Sequence, residues 1–224
     1  EMISIGHRYG IPVYLRVNAN TGGPERPFHN HIEVWRAMAT NFWASGADGI
    51  YVFNAFEKGV LTKLGTAMFK EIGNPQDLKY LDKLYVADWN PLKWGYGGGD
   101  VAFYMPKEHL LPLPLREKEQ YVEFMVREDL KTAQEEGYLP KIKLRLKIKG
   151  FIPGDKVEFI FNGVPLKNPH DLKIQVSKSS QAEYIYTLGY ALSPHHLNDG
   201  RNRIQALYYP GKMRNSSPLL TAIE

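Results

Sequence analysis

The chain has 224 residues, 43% of them hydrophobic and 12% aromatic, enough for one large core or two smaller ones and too much for a disordered chain. Its 28 basic and 24 acidic residues leave a net charge of +4, too mild by itself to point to nucleic acid, and no apolar run reaches the roughly 20 residues of a membrane helix. There is no cysteine, which excludes disulfides and thiolate metal sites without fixing a compartment, and the opening EMISIGHRYG lacks the layout of a secretion signal.

The first half alternates helix and strand. Gly10 closes a short helical stretch, and residues 11–17 (IPVYLRV) read as a buried strand with its proline at the start. After a loop over 18–29, Asn30 with Glu33 resembles a capping box, and Ile32, Trp35, Ala39 and Phe42 follow at helical spacing up to Gly46. Residues 49–54 (GIYVFN) form a short apolar run, the pattern of a strand buried in a parallel sheet. Strand, helix and strand together predict a right-handed crossover unit. A further helix is expected over 61–72, and Asn74-Pro75 starts another with Leu78, Leu81 and Tyr85 on one face.

From Trp89 to Gly99 the chain turns to Trp, Tyr and Gly (WNPLKWGYGGG), and helical periodicity fades. The domain boundary is therefore expected between Asp88 and His109, dividing the chain into 1–105 and 106–224. The Gly97-Gly98-Gly99 run is no phosphate cradle, because no strand leads into it and no helix follows. Trp89, Trp94 and Tyr96 either stack sugar rings or seal the joint between two domains.

The second half reads as short strands between polar turns: 121–126, 141–149, 156–161 ahead of Asn162-Gly163, 182–188, and 203–209 after Asn198-Asp199-Gly200. Residues 217–224 read as the start of one more. Such spacing predicts an antiparallel, jelly-roll-like β-sandwich. In KIKLRLKIK, period two puts Lys141, Lys143, Arg145, Lys147 and Lys149 on one face. That row suits either an edge strand protected by charge or a grip on an acidic polysaccharide.

Two segments carry a family resemblance. WRAMATNFWASGADGIYVFNAFE (35–57) resembles the final helix-to-strand step of bacterial glycoside-hydrolase-like (β/α)8 barrels. FNGVPL (161–166) and LNDGRNRIQA (197–206) are similar to the galactose-binding-like sandwiches that accompany such barrels. The resemblance implies an α/β plus all-β architecture, in which a partial parallel (β/α) barrel segment is followed by an antiparallel sandwich. It implies a protein acting on polysaccharide or oligosaccharide glycosidic bonds, periplasmic or secreted, with a non-catalytic carbohydrate-binding or structural protein as the alternative. Two parallel strands fall short of the eight units and roughly 250 residues of a complete barrel, so the remainder of the barrel is an expected partner.

In that barrel the chemistry belongs at the carboxyl ends of the strands, at Arg16 and Asn18 after the first and Asn54 and Glu57 after the second. Glycoside hydrolysis needs two carboxylates. Glu57 is the visible one, unless it is only a solvated turn residue, and Glu25, Asp88 or segments outside the chain would supply the other. Arg16, within an apolar strand, is a sugar ligand or an ion-pair member. His29 and His31 lack a third ligand and read as capping or surface residues. No metal, cofactor, nucleic acid or membrane partner is expected.

Overall fold

The computed structural model describes residues 2–18, 31–53, 55, 64–88, 111–138, 140–176, 183–211 and 217–224. They fall into two compact units, 1–86 with 125–128 and 87–124 with 129–224. The division thus comes after Val86, whereas the boundary expected at 105 lies outside the described residues.

In the first unit, helix α1 (Met2–Arg8) precedes strand β1 (Tyr14–Asn18), helix α2 (Ile32–Ala44) and strand β2 (Gly49–Phe53). Helix α1 ends where Gly10 takes a left-handed backbone. β1 and β2 pair in parallel, Tyr14 beside Gly49 and Asn18 beside Phe53. A side chain at position 49 would collide with the Tyr14 ring, which accounts for the second glycine of GADGIY. The first one, Gly46, has φ +88 and closes α2, its N–H reaching back to the Trp43 carbonyl. Trp35 and Ala39 of α2 pack with Val17, Met68, Ile72 and Leu78 in one core.

Helices α3 (Ala67–Ile72) and α4 (Pro75–Leu78) complete this unit. Asn74 caps α4 by accepting from the Gln76 N–H, with Pro75 in the first turn. The expected helix through Leu81 and Tyr85 stops at Leu78, however, and the Leu84 N–H bonds the Glu33 carbonyl of α2 in place of a carbonyl of its own helix. Helix α2 likewise starts from His31 without a side-chain cap.

The second unit holds two antiparallel sheets. The first orders β3 (Ala87–Asp88), β12 (Leu219–Ile223), β6 (Ile142–Lys149), β10 (Tyr184–Leu192) and β9 (Asp171–Val176), with β4 (Leu113–Pro114) also on β12. The second orders β5 (Gln120–Val126), β11 (Gly200–Tyr209), β7 (Lys156–Phe161) and β8 (Val164–Leu166). A short helix, α5 (Leu130–Glu135), capped by Asp129, lies between β5 and β6 in sequence. Leu144, Leu146 and Ile148 of β6, Phe159 and Phe161 of β7, and Ile204 and Tyr208 of β11 share one core, so alternation along each strand puts half of its residues between the sheets. The β7–β8 hairpin turns on Asn162 and Gly163, both at positive φ, as a tight two-residue turn requires.

Two expectations change. Strand β6 is not an edge, because β12 and β10 flank it; its cation row reflects a solvent-facing side, not a protected edge. The architecture among the described residues is chiefly antiparallel β, and its parallel strands are the single pair β1–β2. No (β/α) barrel is formed by these residues, since most of the chain is spent on the antiparallel unit.

Candidate functional site

The carboxyl ends of β1 and β2 were the sequence's choice of site. Asn18 and Phe53 are register partners there. Arg16, beside Tyr51 in the ladder, is exposed and sets its guanidinium over the Phe53 ring at 4.0 Å from the centroid. Among the described residues Arg16 has no buried ion pair: Val17 packs with Trp35 and Ala39 of α2, while Tyr14 and Arg16 are exposed. Asn54, Glu57, Glu25, His29, Trp89, Trp94 and Tyr96 lie outside the described residues. Asp88 is a β3 residue paired with Ala222 in the second unit. His31 is exposed.

The opposite, amino-terminal ends of the two strands are tied by Asp48. Its carboxylate accepts the Val13 N–H at 2.6 Å and a hydrogen bond from His7 Nε2 at 2.7 Å. The backbone donor first, and the histidine second, hold this carboxyl below the usual range.

The sequence reading passed over a polar cluster deeper in the first unit. Lys83, nearly buried, lies 3.1 Å from Glu128 Oε1, which also accepts from the Tyr85 hydroxyl at 2.8 Å. Asn41 grips the same returning segment, accepting from the Arg127 N–H and donating to the Met125 carbonyl. The Glu128 and Asn41 oxygens each accept a hydrogen bond, so the cluster fixes residues 125–128.

In the second unit the LNDGRN motif proves architectural. Asn202 is fully buried; its Oδ1 accepts from Asn162 Nδ2 and the Asn198 N–H, and its Nδ2 donates to the Asn198 and Gly200 carbonyls. One amide thereby joins the 198–200 turn to the Asn162-Gly163 hairpin. Asp155 works similarly, accepting from the Tyr208 hydroxyl, Gly211 N–H and Ile152 N–H.

Ion pairing changes the reading of the β6 cation row. Glu224, its side chain largely buried, contacts both Arg145, at 3.0 Å, and Lys147, and Lys149 pairs with Glu183 at 2.6 Å. Two carboxylates thus pair three of the row's five cations.

The outer face of the second sheet presents a different surface. Tyr121 of β5 is exposed beside Arg203 of β11, whose guanidinium lies 4.4 Å from the ring centroid and bonds Glu123. Gln205 donates to Glu119, and the exposed Tyr209 donates to Glu158. Arg201 also pairs with Glu123, and Lys156 is exposed on the same side of β7 as Glu158, so three cations stand with the three carboxylates. Among the described residues no group of three or more His, Cys, Asp or Glu could hold a metal ion.

No protein-family model matches the chain, and no curated protein matches it.

Proposed function

We propose that the chain is part of a carbohydrate-active, glycoside-hydrolase-like protein, in which the β1–α2–β2 unit belongs to a (β/α) barrel and the antiparallel unit is an ancillary jelly-roll-like β-sandwich. The observation that carries this reading is the crossover unit itself: GADGIYVF runs from the end of α2 into a strand parallel to β1. Both glycines of that segment have the conformational or steric reasons given above. Parallel sheets are normally covered on both faces, and the face with Tyr14, Arg16 and Tyr51 is exposed. A barrel interior would cover it. The step from this scaffold to hydrolysis rests on the resemblance, since barrels host many reactions.

On this reading Glu57 is the acid or base, Arg16, Asn18 and Asn54 line the sugar site, and Trp89, Trp94 and Tyr96 add stacking surfaces. The test is reducing-sugar release by the natural full-length protein from a polysaccharide panel. Hydrolysis that Glu57→Gln lowers by about a thousandfold, with binding retained, supports the enzyme. Hydrolysis indifferent to that change removes Glu57 from the mechanism.

A second reading, a non-catalytic carbohydrate-binding module, draws on the outer face of the second sheet. Tyr121 and Tyr209 offer exposed rings, and Arg203 and Gln205 offer planar donors between them. Its local charge balance suits a neutral sugar chain better than an acidic one. Polysaccharide binding without hydrolysis, lost in Tyr121→Ala, favours this reading over the first.

A further inference from the structure

Strand β9 combines two features that protein surfaces usually keep apart. Leu172, Ile174 and Val176 stand in register with Leu188, Tyr186 and Tyr184 of β10. Leu188 and Tyr186 pack against the core, so the three β9 residues continue the inner, apolar face of the sheet. They nevertheless remain 54%, 53% and 55% exposed. The same strand is a sheet edge: β10 pairs with one side, and among the described residues no strand pairs with the other. Natural edges of this kind are usually blunted by proline, a bulge or an inward charge. In β9 the charges, Asp171 and Lys173, lie on the opposite face and pair with each other at 3.4 Å.

We propose that β9 is a homotypic docking edge, through which two copies of this chain join antiparallel with Ile174 facing the Ile174 of the second copy. The sequence DLKIQV selects both the partner and the register. Centred on Ile174, the pairing sets Leu172 against Val176 and Lys173 against Gln175, so apolar meets apolar and no like charges face each other. Centring on Lys173 opposes two lysines. Centring on Leu172 gives favourable Asp171–Lys173 pairs but leaves Ile174 and Val176 without an apolar partner on the strand. Registers offset by one residue put apolar side chains opposite polar ones. A strand that pairs all its apolar residues with itself in one register needs no second kind of protein, and the resulting two-fold contact is closed.

Sedimentation velocity of the full chain tests this. A single strand pair is a small interface, so association is expected in roughly the tens of micromolar range. With rising concentration the mass moves from 25.6 kDa toward twice that value. Ile174→Lys and Ile174→Glu alone each weaken association by about tenfold or more, because like charges then meet at the two-fold. Their unfolding temperatures, read at concentrations where the wild type is monomeric, fall by only a few degrees, because the position is half exposed. An equimolar mixture of the two variants regains association, lysine facing glutamate. The proposal is overturned if the wild type stays monomeric across that range, if either variant alone associates like the wild type, or if the mixture associates no better than its components.

Discussion

The Lys83 ammonium lies 3.1 Å from the Glu128 carboxylate, and only 6% of the lysine side chain is exposed. Removing one partner of such a pair strands the other in a poorly solvated site. Glu128→Ala is therefore expected to destabilise the first unit by about 3 kcal/mol, the Lys79 and Leu81 carbonyls keeping the loss from being larger. The double change Lys83→Met with Glu128→Leu is expected to recover most of it. Denaturant midpoints of the three proteins, followed by a probe in residues 1–86, check both statements.

A different kind of loss is expected at Asn202, which makes four hydrogen bonds and is 0% exposed. Asn202→Ala leaves several buried groups unpaired and is expected to cost about 3 kcal/mol. Asn202→Asp is expected to be worse, since it sets a carboxylate against the Asn198 and Gly200 carbonyls that Nδ2 now satisfies. Thermal unfolding of the second unit ranks the two variants, and an aspartate variant more stable than the alanine one contradicts this account.

What the sequence made legible depends on whether periodicity alone decides an element. Strands β6, β7 and β11 alternate cleanly because one face of each meets the shared core, and α2 with β2 declares itself through Trp35, Ala39 and the glycine-bounded apolar run. Strand β9 was legible in principle: DLKIQV alternates, and Asn168-Pro169, with Asn168 at positive φ, marks the turn that separates it from β8. The spacing of Leu78, Leu81 and Tyr85 fits a helix, but the Leu84 N–H bonds the Glu33 carbonyl of α2, a distant partner that spacing does not show. Edge or centre cannot be read from a lysine row, since strand order is set by pairing between residues far apart in sequence, such as Leu146 with Ile223. For the site, the sequence named the strand ends but not the Asn41, Lys83 and Glu128 cluster, whose members come together only through the return of residues 125–128.

Asp48 gives the first unit a dependence on acid. Its folded carboxyl is held below the usual value, chiefly by the Val13 N–H and then by His7. The stabilisation this provides is complete above the ordinary carboxylate pKa and is lost as pH falls through the depressed folded value. Asp48→Asn removes the dependence. The stability gap between wild type and variant is expected to be widest near neutral pH and to close in strong acid, as measured by urea unfolding at a series of pH values; a gap that widens toward low pH contradicts the assignment.

Tyr190 sets the alkaline counterpart in the second unit. It belongs to the core shared by the two sheets, and burial pushes its hydroxyl up to about 12. In the unfolded chain the same phenol ionises near its usual value of about 10. Above that pH the unfolded state loses a proton that the folded state keeps, so stability falls as pH rises toward the folded value. Tyr190→Phe preserves the ring that packs in the core and removes the proton. The variant is expected to match the wild type near neutral pH and to exceed it progressively between about pH 10 and about 12. Ultraviolet titration of the phenols, with unfolding curves on both proteins across that range, separates this effect from alkaline damage common to the two.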